Sequence, residues 1–241
     1  MIRPSALAIV LCCATPALAA DPPSRVLDLA RWKVTLPVDT DLPGHPDEIV
    51  PRALAQLVDP AHFFVRDQGV VFRAPCGGVT TRGSSYPRCE LREMAPGGKD
   101  EATWSTTDTA PHTLHFTAAI TKVPARKPHV VIAQIHDAKN DLLMVRLEGD
   151  KLFIERQEGG DVPLQRPYVL GAPIDIKIEA GAGRIQAWLG GELKMDWPVN
   201  RKGCYFKAGC YTQSNPQNGD DPADYGEVVI TALHLGRQSD P

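Results

Sequence analysis

The sequence predicts an all-β domain built from two packed antiparallel sheets, a sandwich or jelly roll. Three observations carry that expectation. Apolar residues alternate with polar ones at period two over long runs, as in Leu114, Phe116, Ala118 and Ile120, or Ile174, Ile176 and Ile178. Glycine turns separate such runs at Gly149-Asp150, Gly181 to Gly183 and Gly190-Gly191. Helical spacing is plausible only over the short stretch from Arg52 to Val58.

Taken in order, the chain opens on a leader rather than on the fold. Met1-Ile2-Arg3 is basic, Ala6 to Cys13 is apolar, and Ala17-Leu18-Ala19 is a small-residue cleavage site. Residues 1–19 therefore read as a secretory signal peptide, cleaved after Ala19 or Ala20. Cys12 and Cys13 lack small residues just before them, which argues against a lipoprotein anchor. No later apolar run is long enough to span a bilayer. The mature chain is expected to be soluble and either secreted or periplasmic, with no membrane anchor. Residues 20–241 suit one domain. The formal charge is −3, and losing Arg3 with the leader leaves −4. A mildly acidic chain is a poor nucleic-acid binder, and an anionic ligand would need a local basic cleft.

Trp32-Lys33-Val34-Thr35-Leu36 is a short alternating strand stopped by Pro37, and Asp39 to Pro51 is a turn-rich loop. Strands are then expected over Gly69 to Ala74, Arg88 to Met94 and His112 to Lys122, with a Gly/Thr/Ser loop from Gly77 to Ser85. His129 to His136 is apolar on both faces until Gln134, the pattern of a central strand buried in a sandwich. Leu142 to Glu148 and Lys151 to Arg156 form a hairpin around Gly149-Asp150. Ile174 to Glu179, Arg184 to Leu189, Glu192 to Trp197, Gly203 to Gln213 and Gly226 to Gly236 complete the set.

Of six cysteines, Cys76, Cys89, Cys204 and Cys210 lie beyond the leader. An even number in an exported protein favours disulfides, with three possible pairings. Cys204 and Cys210 share one strand, so their Cα atoms would be roughly 20 Å apart at ~3.3 Å per residue. A bridge tolerates no more than about 7 Å, which leaves two cross-strand alternatives. No cysteine pair has close C-x-x-C spacing, so neither a metal nor any other cofactor is expected.

Three stretches place polar groups on strands that otherwise look structural. In Tyr86-Pro87-Arg88-Cys89-Glu90-Leu91-Arg92-Glu93, alternation puts Arg88, Glu90 and Arg92 on one face and Cys89 and Leu91 on the other. Two guanidiniums about 7 Å apart form a fork suited to a carboxylate or sulfate. In Gln134-Ile135-His136 the Gln and His share a face. A Gln at the end of a buried strand needs partners, because an unsatisfied one costs about 1–3 kcal/mol. In Gly203 to Gln213, Tyr205, Lys207, Gly209, Tyr211 and Gln213 line one face; Cys204, Phe206, Ala208 and Cys210 line the other. A cation such as Lys207 beside Tyr211 would favour its phenolate.

Together, Tyr-Pro-Arg-Cys-Glu-Leu-Arg-Glu, Gln-Ile-His and Tyr-Phe-Lys-Ala-Gly-Cys-Tyr-Thr-Gln resemble the three signature strands of the alginate lyases of polysaccharide lyase family 7, in order and approximate spacing. Trp32-Lys33-Val34-Thr35-Leu36-Pro37 resembles that family's start, so the likeness runs from about Val26 to Arg237. Cys89 stands where the family commonly has Ser or Thr, and Cys210 where a small aliphatic residue is usual. The resemblance implies a β-jelly roll, a concanavalin-like sandwich, with a substrate cleft across its concave sheet. It implies an anionic polysaccharide, alginate, as substrate and metal-independent β-elimination leaving an unsaturated uronate at the new non-reducing end; a monomer is expected.

Carried over by motif position, the catalytic set is Arg88, Gln134, His136 and Tyr211. Arg88 and Gln134 neutralise the uronate carboxylate, and Tyr211 protonates the leaving oxygen. His136 is the base where the C5 hydrogen and the leaving group are opposed, as in guluronate. Glu90, Arg92, Lys207, Gln213 and Tyr205 complete the substrate-binding set, with Glu90 orienting Arg88 and Arg92. Ile135 between Gln134 and His136 is, in the family, associated with acceptance of guluronate. If Arg88 and Tyr211 meet at one sugar, Cys89 and Cys210 meet behind them, so Cys89–Cys210 is the expected disulfide. Two alternatives are a glycoside hydrolase using Glu90 and Glu93, and a non-catalytic jelly-roll polysaccharide-binding protein. Alternation sends those two glutamates to opposite faces, wrong for carboxylates ~5–5.5 Å apart across a sugar.

Overall fold

The computed structural model describes residues 20–237; the leader expected over residues 1–19 lies outside them. Among the described residues fifteen strands form two antiparallel sheets. The first sheet runs, edge to edge, β10 (Val162–Gln165), β9 (Lys151–Arg156), β8 (Asp141–Glu148), β7 (His129–His136), β14 (Tyr205–Thr212), β5 (Arg88–Glu93), β1 (Trp32–Thr35) and β2 (Glu48–Ile49). The second runs β13 (Glu192–Pro198), β12 (Arg184–Leu189), β11 (Ile174–Gly181), β6 (His112–Lys122), β15 (Tyr225–Arg237), β4 (Gly69–Pro75) and β3 (Phe63–Arg66). The jelly roll expected from the alternation is the architecture found.

Period-two alternation decides which face each strand buries. On β6, Leu114, Phe116, Ala118 and Ile120 are buried while the residues between them are half-exposed. Ile174, Ile176 and Ile178 of β11 do the same. Opposite them, Val130, Ile132 and Ile135 of β7 and Phe206, Ala208 and Cys210 of β14 close one continuous core. At about 25 cal/mol per Å2 of apolar surface, burial on this scale drives the packing of the two sheets.

Three local differences from the sequence reading have simple causes. The expected helix over Arg52 to Val58 is a single turn, α1 (Pro51–Leu54), entered by Pro51 in its first turn. The first strand is buried on both faces, because Lys33 is held between Glu48 and Glu101 and Thr35 Oγ1 meets Glu48. The short strands β2, β3 and β10 carry too few residues to declare a period. Among the described residues no helix is long and apolar enough to cross a membrane.

The cysteine expectation is corrected. Cys76, Cys89, Cys204 and Cys210 are all free and buried. Cys89 and Cys210 are direct register partners across β5 and β14, yet they are not bonded. The Thr212 N–H donates to the Pro87 carbonyl at 3.1 Å, so that opposed pair is hydrogen-bonded. Two residues along, Cys210 and Cys89 fall at the same kind of position, where Cα atoms stand about 5.5 Å apart and side chains diverge more than at non-bonded pairs. A disulfide needs Cβ atoms at about 3.5–4.5 Å. Each thiol is engaged separately: Cys89 Sγ donates to the His62 carbonyl at 3.3 Å, and Cys210 Sγ lies 3.6 Å from Thr212 Oγ1.

Candidate active site

Strand β14 lies between β7 and β5, and the register of the two ladders assembles the site. Lys207 opposes Gln134 on one side and Arg92 on the other, while Tyr205 opposes His136 and Tyr211 opposes Arg88. Between Ala208 and Tyr211 the β14–β7 register shifts, a bulge centred on Gly209, whose φ is +141°. The bulge gives β14 an extra residue against β7 while it stays in step with β5.

These side chains floor a cleft of about 420 Å3, walled by residues 81–84 on one side and 138–141 on the other. Its lining includes five cations, Arg82, Arg88, Arg92, Lys139 and Lys207, against two carboxylates, Glu48 and Asp141. A chain of net negative charge thus has a locally basic cleft, which draws in an anion despite the overall sign.

Beneath the floor sits Glu90, whose side chain is fully buried. Its carboxylate accepts from Arg88 at 3.1 Å, from Lys207 at 2.5 Å and from Gln134 Nε2. Burial pushes the Glu90 carboxyl up, but Lys207 and Arg88 outweigh it and hold the group below the usual range. Burial acts the other way on Lys207, whose ammonium is brought down to about 8 despite the attraction of Glu90. The carboxylate is an acceptor only, which fixes the Gln134 amide with its nitrogen toward Glu90. One further Gln134 N–H and the remaining Arg88 donors are left for the cleft; Arg88 Nε is buried without a partner among the described residues.

His136 Nδ1 lies 2.6 Å from the Asp137 carbonyl. A carbonyl only accepts, so in the neutral ring Nδ1 carries the proton and Nε2 keeps its lone pair. Burial lowers the affinity of this imidazole for a second proton, and Lys207 adds to that, against the Asp137 carbonyl. His136 stacks on Tyr205 at 5.4 Å between ring centroids, and the Arg92 guanidinium covers the same tyrosine at 3.8 Å. Across the floor, Arg88 lies 3.8 Å from the ring centroid of Tyr211, and the Tyr211 hydroxyl is 2.9 Å from Ser84 Oγ.

Arg88, Gln134, His136, Tyr211, Arg92 and Lys207 therefore all reach the cleft, while three residues of the expected binding set do not. Glu90 lies under the floor and touches its neighbours rather than a ligand. Tyr205 is a brace for His136 and Arg92. Gln213 is buried beyond the end of β14, where its N–H meets the His129 carbonyl. Glu90 orients Arg88 but not Arg92, which instead pairs with Glu101 at 2.8 Å. The cation against the Tyr211 ring is Arg88, whereas Lys207 is engaged by Glu90. Ile135 points into the core and is not part of the cleft lining.

Glu93 is on the far side of β5, accepting from Trp104 Nε1 at 2.8 Å and from the Phe206 N–H at 3.0 Å. Neither carboxylate of that strand, Glu90 or Glu93, lines the cleft. Among the described residues no group of three or more His, Cys, Asp or Glu side chains could hold a metal ion. Ser84 and Glu101 carry no signal in the sequence, because both lie outside the regular strands in segments without periodicity.

A family model described as alginate lyase matches residues 27–237. An alginate lyase of polysaccharide lyase family 7 superposes with a TM-score of 0.85 and 44% identity, covering 90% of this chain and 98% of that one. The alginate lyase from Corynebacterium sp. gives a TM-score of 0.85 at 39% identity, covering 91% and 99%. A curated alginate lyase of Klebsiella pneumoniae is 35% identical over 103 residues, 41% of this chain. That match spans only 34% of the relative's length.

Proposed function

The chain belongs to the alginate lyase family of polysaccharide lyases, and from that premise we propose that it cleaves 1,4-linked polyuronate by β-elimination at the β5–β7–β14 floor. One observation supports this reading most: Arg88, Gln134, His136 and Tyr211 share one basic cleft, with an unprotonated imidazole nitrogen among them.

Arg88 and Gln134 donate to the carboxylate on C5 of the sugar. That removes charge which would otherwise oppose the enolate developing as the C5 proton leaves. His136 Nε2 takes this proton, the C5 electron pair forms the C4–C5 double bond, and the C4–oxygen bond breaks. Tyr211 gives its phenolic proton to the departing oxygen, and water is not consumed. A base and an acid on separate residues suit guluronate, whose C5 hydrogen and leaving group are opposed. In mannuronate they lie on one side, and Tyr211 alone can take and return the proton. Acceptance of guluronate thus rests on His136 rather than on Ile135.

Lys207 and Arg92 add positive charge for neighbouring carboxylates. The chain is proposed to act as an exported monomer of one catalytic domain. Incubation with alginate tests the reading: ultraviolet absorbance from the conjugated double bond should rise. New reducing ends without absorbance would indicate a hydrolase, and binding with neither signal a non-catalytic protein.

A further inference from the structure

The Tyr211 hydroxyl meets one protein hydroxyl, that of Ser84, at 2.9 Å. Ser84 Oγ also accepts from the Tyr86 N–H at 3.1 Å and can donate to the Tyr86 carbonyl at 3.1 Å. A hydroxyl has one proton and two acceptor sites. With the Tyr86 N–H filling one acceptor site, the Ser84 proton has two destinations, the Tyr86 carbonyl or the Tyr211 oxygen. The loop that carries it is pinned: the Ser84 N–H donates to the Thr81 carbonyl at 3.0 Å, Thr80 bridges Pro87, and Asn215 Nδ2 donates to the Ser85 carbonyl at 2.8 Å.

We infer that Ser84 is a positioning residue for the proton delivery proposed above, its hydroxyl donating to the Tyr211 oxygen as that oxygen gives up its proton. The inference rests on the β-elimination reading. Before the step, a Ser84 proton directed at Tyr211 leaves the phenolic O–H free to point at the glycosidic oxygen. During the step the phenolic O–H bond breaks, the proton joins the leaving oxygen, and the pair left on Tyr211 receives the Ser84 hydrogen bond. No proton is lost by Ser84. When Tyr211 is reprotonated, Ser84 can turn its proton back to the Tyr86 carbonyl. A hydrogen bond that strengthens as charge develops accelerates the step without tightening substrate binding.

Ser84→Ala should lower kcat roughly tenfold to hundredfold, the range of a lost hydrogen bond to a charged group, with KM nearly unchanged. Ser84→Thr, which keeps the hydroxyl, should recover most of kcat. In a Tyr211→Phe background, Ser84→Ala should leave the calorimetric affinity for an alginate oligosaccharide unchanged, because Ser84 acts only through the missing hydroxyl. Full kcat in Ser84→Ala, a loss confined to KM, or weakened binding in the double variant would each overturn the inference while leaving β-elimination intact. A wild-type protein inactive on alginate would overturn the functional reading and this inference with it.

Discussion

The guanidinium of Arg88 lies face-on to the ring of Tyr211, 3.8 Å from its centroid, on register partners of adjacent strands. One cation therefore stands over the ring of the proposed acid and beside the position proposed for the sugar carboxylate. Tyr211→Phe keeps that stack and removes only the hydroxyl. It should lower kcat by about 10²–10⁴-fold, the range of general acid–base catalysis, with the affinity for alginate oligosaccharide little changed. Absorbance assays and calorimetry measure the two separately, and retained kcat would remove Tyr211 from the proton transfer.

Glu90 holds two cations and an amide from beneath. Glu90→Gln keeps the shape but leaves Arg88 and Lys207 buried without their counter-charge. Breaking a buried pair in this way costs about 3–5 kcal/mol. A clear fall in Tm and in the urea midpoint is expected, together with lost activity. An unchanged urea midpoint would show that Glu90 is not the anchor of the floor.

His136 should set the acid side of the pH profile. Burial lowers its proton affinity in the fold, so the base form persists below the ordinary value of about 6.5. The fall in kcat/KM on acidification should therefore centre below that value. Stability follows the same sign. The contribution is fully present above the unfolded value, and as pH drops the unfolded chain takes up the proton first, so it is lost down to the folded value. An acid limb centred above the ordinary histidine value would contradict His136 as the base.

Lys207 should set the alkaline side, near its value of about 8. Above it the floor loses a cation, and kcat/KM should fall. Between that value and the ordinary lysine value the unfolded chain holds a proton that the folded chain has released. The Lys207 contribution to stability therefore rises with pH across this window. Activity should thus decline without an unfolding step attributable to this group, as parallel kinetics and urea titrations would show. A profile flat through the titration of Lys207 would remove its charge from the reaction.

Gly209 should tolerate no side chain. Its φ of +141° is rarely adopted by other residues. A Cβ there would stand 2.7 Å from the Cys89 carbonyl oxygen and 2.9 Å from Phe72 Cδ1. Gly209→Ala should lower both Tm and kcat, since the bulge carries Tyr211 toward the cleft. A variant with wild-type kinetics and Tm would show that the bulge is incidental.

The four cysteines of the described residues offer a test of register chemistry. Unfolded without reductant, Cys76, Cys89, Cys204 and Cys210 should each be alkylated in full. A Cys89–Cys210 linked peptide in mass spectra would mean that β5 and β14 pair differently from the ladder described here.

By itself, the sequence determined which side chains share a face, because the pleat alternates locally along each strand. Arg88, Glu90 and Arg92, Gln134 and His136, and Tyr205, Lys207 and Tyr211 could all be grouped from spacing alone. Motif likeness then indicated that three distant stretches belong together. Tertiary structure decided what spacing cannot express. It buried Glu90 beneath the cations that it was expected to join in the cleft, because three donors from three strands converge on one carboxylate. It gave Arg92 to Glu101 and Tyr211 to Ser84, partners from loops whose paths have no period. Gln213 continues the β14–β7 ladder past the strand's end, its N–H meeting the His129 carbonyl, and is buried outside the cleft lining. The parity of the hydrogen-bond ladder, invisible in one strand, kept Cys89 and Cys210 facing but apart. Local backbone geometry is written residue by residue, whereas a partner is chosen only when the sheets close.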